Sequence, residues 1–172
     1  EAGDRSVGVN ARMGLARFLV GSELNYEAIG VLNLLYRRHQ ELAGDPEFRG
    51  LRGAARAMVG RYKEAENDFS VPVLANDPAS SLWRGYIASK ENDWQASADA
   101  FAKGASAMNQ FTPAWQSRFA RAHAETALEL GKLDVAFTEA ALAIAQTKDP
   151  VEQLQARLIQ ARLMEAQGYP KP

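Results

Sequence analysis

Gly60-Arg61-Tyr62-Lys63-Glu64-Ala65 is the stretch that decides the fold of this chain. A small loop residue, an aromatic residue and then an alanine three positions later mark the turn inside a helical hairpin. The pattern recurs with drift at Asn92-Asp93-Trp94 and at Gly131-Lys132-Leu133-Asp134-Val135-Ala136, and more weakly at Leu24-Asn25-Tyr26-Glu27-Ala28. Recurrence near a constant spacing is typical of a helical repeat array.

Four prolines, each preceded by a helix-capping residue, divide the chain at intervals of 32, 35 and 37 residues. Asp and Thr side chains accept backbone N–H bonds at a helix start, and Pro suits the first helical position, where its missing N–H would be unpaired anyway. Each interval therefore holds two amphipathic helices around one turn. The four sites are Asp45-Pro46, Asp77-Pro78, Thr112-Pro113 and Asp149-Pro150.

This punctuation predicts one array whose first helix is capped by Asn10 after a frayed lead-in. The second helix is predicted from Tyr26 to Leu42, and Pro72 should kink or end the helix that contains it. The last helix is apolar on two sides, which is unlike a natural polar cap and predicts that the array continues beyond it. The predicted repeats cover about 10–45, 46–77, 78–112 and 113–149, with a half repeat at 150–168.

Composition excludes several classes of function. The chain has 172 residues, a formal charge of -1 and no cysteine, so disulfides, thiolate zinc sites and cysteine nucleophiles are absent. A near-neutral charge gives no global field to attract nucleic acid. No apolar run approaches the ~18 residues of a membrane span, and no signal peptide is visible. Because the chain does not begin with Met, we expect a processed product or a piece of a longer protein.

The turn stretch, together with Phe69 and Asp77-Pro78, resembles the tetratricopeptide repeat (TPR) family, and the resemblance covers roughly residues 10–168. Gly53 and Gly85 match the packing glycine of the first helix, whereas Ser97 replaces the alanine of the third turn. The resemblance implies an all-α, right-handed α-solenoid of antiparallel helix pairs, with about nine helices. Its concave groove, lined by the first helix of each repeat, would receive a peptide or helix from a partner protein.

A second likeness concerns the source of the chain. Leu82-Trp83-Arg84-Gly85-Tyr86 with Asn92-Asp93-Trp94 is similar to repeats in large, alanine-rich bacterial envelope proteins. This implies a bacterial protein, and it leaves periplasm and cytoplasm open.

Basic residues on the first helices are the candidates for partner binding. Arg49, Arg52 and Arg56 follow three- and four-residue spacing, so they share one helix face. If that face lines the groove, it would bind an acidic peptide or a terminal carboxylate through bidentate contacts. The alternative is a solvated face, or pairing with Glu47 and neighbouring acids. The remaining candidates, on later first helices, are Arg84, Tyr86, Arg118 and Arg121.

No residue pattern indicates catalysis, a cofactor or a metal. His39 and His123 lack further ligands at metal-binding spacing, so we interpret both as ordinary helix histidines. Glu64, Glu66 and Asp68 are expected to form a solvated helix face. The aromatic residues follow helical spacing, which favours core packing over a stacking platform for nucleic acid or sugars.

Two functions remain from this reasoning. The first is a non-catalytic protein-interaction scaffold. The second is a structural or self-assembly segment of a larger protein, which would associate through the apolar terminal helix from Leu154 to Met164. An enzyme would require catalytic residues outside this chain.

Overall fold

The computed structural model describes residues 2–168, with side chains from residue 8 onward. Over this range the fold is all-helical and contains no strand. Two short 3-10 helices, Gln40–Gly44 and Ala105–Gln110, accompany the α-helices. The nine α-helices are α1 (Ala2–Gly21), α2 (Asn25–Arg38), α3 (Pro46–Met58), α4 (Tyr62–Phe69), α5 (Pro78–Lys90), α6 (Trp94–Gly104), α7 (Pro113–Glu129), α8 (Leu133–Gln146) and α9 (Pro150–Ala166).

The four helix starts predicted from the prolines are confirmed, because α3, α5, α7 and α9 each begin at one of them. In every case the preceding side chain caps the new helix by accepting a backbone N–H bond, which satisfies one otherwise unpaired donor. The bonds run to Asp45 from Phe48 N (2.7 Å), to Asp77 from Ser80 N (2.7 Å), to Thr112 from Trp115 N (3.5 Å) and to Asp149 from Val151 N (2.8 Å).

The hairpin turns predicted from the recurring stretch share one backbone conformation. A residue with positive φ follows the first helix, and the next residue donates its N–H to the carbonyl five positions earlier, which is the Schellman pattern of helix ends. The positive φ values occur at Glu23 (59°), Gly60 (77°), Asn92 (61°) and Gly131 (70°). The donors and acceptors are Leu24 to Leu19 (2.9 Å), Arg61 to Arg56 (2.9 Å), Asp93 to Ala88 (2.9 Å) and Lys132 to Ala127 (2.8 Å).

A small residue seven positions before each turn residue lets the second helix of the hairpin approach closely. A Cβ built on Gly53 would lie 2.8 Å from the Phe69 ring, and one on Gly85 would lie 3.0 Å from the Phe101 ring. Both glycines therefore pack as the sequence predicted. The first and fourth hairpins instead place alanine with smaller partners in the same buried clusters, as Ala16 with Leu32 and Ala124 with Ala140.

The departure at Ser97 is accommodated inside the core. Ser97 is fully buried at the position that Ala28, Ala65 and Ala136 occupy in the other hairpins. Its hydroxyl donates to the Gly85 carbonyl at 2.9 Å and lies 2.8 Å from the Thr126 hydroxyl. A buried hydroxyl with partners avoids the desolvation penalty of an unpaired polar group.

The structure contradicts the predicted start of α1 and the predicted end of α2, and it confirms that α4 ends before Pro72. Helix α1 begins at Ala2, so the prediction that Asn10 caps it was wrong; no proline precedes Asn10 and the helix runs through it. Helix α2 ends at Arg38 rather than Leu42, because His39 leaves helical geometry with φ at -136°. Helix α4 ends at Phe69, before Pro72, as predicted.

The chain divides into two compact units after Ser80, within the first turn of α5. In the first unit, consecutive helices from α1 to α4 pack together, and α1 also contacts α3. In the second unit, consecutive helices from α6 to α9 pack together, α7 also contacts α9, and α5 packs on α6 through Gly85 and Phe101. No helix within residues 2–168 is long and apolar enough to cross a membrane. The single array of repeats stays a prediction.

Candidate partner-binding surfaces

The predicted arginine stripe of α3 faces an acid within its own hairpin. Arg49 Nη1, Arg52 Nη2 and Arg56 Nη1 contact the carboxylate of Asp68 on α4 at 2.8, 2.7 and 2.6 Å. Arg52 Nε adds contacts of 3.2 and 3.0 Å to the two carboxylate oxygens. The alternative partner Glu47 is paired with Arg17 instead. The first unit therefore contains a buried cluster of three arginines and one aspartate, which we call the Asp68 cluster.

Asp68 is fully buried, so the expectation that it lies on a solvated face was wrong. The guanidinium of Arg52 also lies over two rings, 5.1 Å from the centroid of Tyr36 and 4.7 Å from that of Phe48. These contacts hold the cation between an acid and aromatic faces, which compensates its loss of water. Only 6% of the Arg52 side chain remains exposed, against 17% for Arg49 and 13% for Arg56.

The Asp68 cluster carries more positive than negative charge. Glu64 adds a second carboxylate, 3.3 Å from Arg56 Nη2, but half of its side chain is exposed to water. Arg56 Nε is buried without a hydrogen-bond partner. The arginines thus have an internal ligand, and partner binding by these three residues stays a prediction.

The other candidates belong to the second unit, where the structure brings three of them together on helices α5 and α7. Tyr86 and Trp115 contact edge to face with ring centroids 6.1 Å apart, and the Arg118 guanidinium lies 4.8 Å from the Trp115 centroid. Arg118 and Arg121 both reach Glu152 on α9, with Nε to carboxylate oxygen distances of 3.1 and 3.4 Å. Arg84 donates to Ser81 Oγ at 3.0 Å, on its own helix.

Lys90 joins this surface, although sequence reasoning did not single it out. Its ammonium lies 5.3 Å from the Tyr86 centroid, one helical turn away on α5. Burial lowers the pKa of Lys90, Arg121 lowers it further, and Glu125 and Glu152 act in the opposite direction. In the sequence, Lys90 lies four residues after Tyr86 on the same helix, and this spacing could have identified Lys90 as a neighbour of the ring.

The surface has charges of opposite sign at its two ends. Arg162 on α9 pairs with Glu129 at 2.6 Å and with Glu125 at 3.9 Å, and Glu165 lines the same shallow pocket as Glu129 and Arg162. We call the whole surface the α5–α7–α9 face. Its basic end comprises Lys90, Arg118, Arg121 and Glu152, and its acidic end comprises Glu129, Arg162 and Glu165; Glu125 belongs to neither end, because it acts on Lys90 and also lies 3.9 Å from Arg162.

The histidines lie in local contacts. His123 stacks on Phe101 with centroids 4.9 Å apart, and its Nδ1 lies 3.3 Å from Glu139. His39 Nδ1 lies 3.0 Å from Glu41. Among the residues that the structure describes, no group of three His, Asp or Glu side chains could hold a metal ion.

The terminal helix α9 has one buried and one exposed apolar side. Ile159 and Leu163 pack against α7 and α8 residues in a buried cluster. Val151, Leu154 and Leu158 are 62, 69 and 63% exposed and follow three- and four-residue spacing, so they form one stripe. This stripe is the surface on which the predicted self-association would depend.

Comparison with protein-family models, with curated proteins and with solved structures found no match to this chain. Membership of the TPR family therefore stays a prediction, supported by the resemblance of the turn stretches and proline sites.

Proposed function

We propose that this chain is a non-catalytic protein-interaction module, a TPR-like right-handed solenoid that binds a segment of a partner protein along its first helices. The observation that carries the proposal is the α5–α7–α9 face, where Tyr86 and Trp115 are half-buried and each lies beneath a cation. Tyr, Trp and Arg dominate the binding energy of protein interfaces, because they combine apolar area with polar groups.

The packing of the hairpins supports the same proposal. The first helices α3, α5 and α7 are each held by an N-terminal cap, a C-terminal turn and a closely packed second helix, so their side chains project from a rigid support. Helices α7 and α9 contact each other, and Arg118 and Arg121 of α7 pair with Glu152 of α9. We propose that these polar side chains form one row along which the partner segment lies. A row of this kind suits an extended or helical segment better than a small molecule.

The test is a selection of random 12-residue peptides displayed on phage against the folded chain. The chosen peptides are then titrated against the wild type and against Tyr86→Ala, with Lys103→Ala on α6 as an exposed control. We expect Tyr86→Ala to weaken binding roughly tenfold or more, the range of interface hot spots, and the control to leave it unchanged. Failure to select any peptide, or equal binding by all three proteins, would overturn the proposal.

A second candidate function is self-assembly, and the exposed stripe of α9 favours it. Leu154→Lys with Leu158→Lys would place charge on both central positions of the stripe. If the chain self-associates there, sedimentation equilibrium will show a mass that rises with concentration for the wild type and stays monomeric for the variant. A monomeric wild type at all concentrations would eliminate this candidate.

A further inference from the structure

Among the residues that the structure describes, Lys90 is unlike the other cations of the α5–α7–α9 face because it has no ion pair. Arg118, Arg121 and Arg162 each contact a glutamate. The half-buried ammonium of Lys90 forms no ion pair with any carboxylate in the described part of the chain, and its contact is the Tyr86 ring. Lys90 is therefore the cation of the basic end that has no carboxylate partner among the described side chains.

The surroundings of Lys90 explain why an incoming anion would be favoured there. Partial burial removes water from the ammonium, and Arg121 adds a like charge, so two unfavourable effects act on the same group. Glu125 and Glu152 act against them, but Glu152 is already shared by two arginines. The basic end holds three cations and one carboxylate, so a carboxylate from outside would lower its net charge from +2 to +1.

We propose that Lys90 and Arg121 receive a carboxylate side chain of the partner segment, and that an apolar or aromatic neighbour of this carboxylate packs on Tyr86 and Trp115. This inference rests on the proposed function and specifies the chemistry of its partner. The occupant is a mixed-charge segment of a protein. Nucleic acid fits poorly, because the acidic end would repel a polyanion.

The acidic end sets a spacing between two charged residues of the segment. Arg121 and Glu129 are eight residues apart on α7, which corresponds to about 12 Å along the helix axis. An extended chain covers this distance in about four residues. A basic residue about four positions from the carboxylate would therefore reach Glu129 and its neighbours.

The experiment uses the phage-selected peptides described above. Each acidic residue of a peptide is replaced by its amide, Asp by Asn or Glu by Gln, and both forms are titrated against four proteins by fluorescence anisotropy. The proteins are the wild type, Lys90→Met, Lys90→Arg and the exposed control Lys103→Met. Thermal melts of all four establish that the variants are folded.

We expect one acid in each peptide whose amide form binds the wild type at least tenfold more weakly. This difference should disappear on Lys90→Met, remain on Lys90→Arg and remain on the control. Peptides that bind without any acid, or an acid-to-amide difference that Lys90→Met preserves, would overturn the inference while leaving the proposed function intact. A selection that yields no peptide would overturn both.

Discussion

Asp68→Asn removes one negative charge from the centre of three arginines while it keeps the size and shape of the side chain. Asp68 is fully buried, and its carboxylate accepts hydrogen bonds from Arg49, Arg52 and Arg56 at 2.6–3.2 Å. Breaking a buried ion pair by removing one partner costs about 3–5 kcal/mol, because an uncompensated charge remains in the interior. We expect a loss in that range, since Arg52 cannot reach water without leaving both rings.

The loss of unfolding free energy is not the sum of the energies of the individual hydrogen bonds. Each hydrogen bond to a charged group contributes about 1.5–3 kcal/mol, but contacts that share one carboxylate are coupled. Arg49 and Arg56 are partly exposed and can turn toward solvent, which limits their share of the loss. Small domains have total stabilities of about 5–15 kcal/mol, so a loss of this size is readily measured.

Urea unfolding followed by circular dichroism gives the free energy, provided that the m-value is unchanged. Glu64→Gln is the matched control, because it removes one half-exposed carboxylate from the same cluster and should cost at most about 1 kcal/mol. Adding Arg52→Met to Asp68→Asn should recover part of the loss, since it removes the most buried of the unpaired cations. An Asp68→Asn protein within 1 kcal/mol of wild type, or no recovery in the double variant, would refute this reasoning.

Three further predictions concern packing, turns and pH. Gly53→Ala should cost about 1–3 kcal/mol by overpacking, and a second change, Phe69→Leu, should recover part of it in the same urea assay. Gly131→Ala should cost about 1–2 kcal/mol because φ is +70°, whereas Gly30→Ala, in an open position of α2, should gain about 0.5–1 kcal/mol; equal effects would contradict the turn assignment. Because burial lowers the pKa of Lys90, the unfolded chain binds that proton more tightly, so stability should rise with pH between the lowered pKa and 10.5. Lys90→Met should lack this rise, and parallel pH curves for the two proteins would contradict the shift.

The helix starts and turns could be predicted from sequence because their causes are local. A capping side chain before proline acts within one turn of helix, and a residue with positive φ acts on the backbone immediately around it. Asn10 shows the limit of this reasoning, because it is a good capping residue that lies inside α1. Without a proline or a turn nearby, a capping residue alone did not decide where the helix begins.

The Asp68 cluster was missed because its members meet only when two helices pack. The sequence nevertheless held a signal for it. Gly53 contacts Phe69 on α4, and Arg49, Arg52 and Arg56 lie four before, one before and three after it on the same helix. These offsets place all three arginines toward α4. If Gly53 is taken as the glycine that packs against the second helix, the same alignment predicts that the arginine stripe lies inside the hairpin.

The four hairpins place different chemistry at the positions of Arg52 and Asp68, which lie eight residues before and after the turn residue Gly60. The fourth hairpin has His123 and Glu139 there, with Nδ1 to Oε1 at 3.3 Å, whereas the first has Leu15 and Val31. The chain therefore has charged residues at this structural position in the second hairpin and apolar residues at the same position in the first.

This comparison leads to a last prediction. Transferring the apolar pair, as Arg52→Leu with Asp68→Val, should leave unfolding free energy within about 1–2 kcal/mol of wild type, because replacing a buried ion pair by apolar residues is often near neutral. Arg49 and Arg56 would then turn to solvent, and Arg56 keeps Glu64. Urea unfolding compares this protein with Asp68→Asn. A loss as large as that of Asp68→Asn would mean that all three arginines need the carboxylate, and that the cluster stabilises the hairpin as a unit.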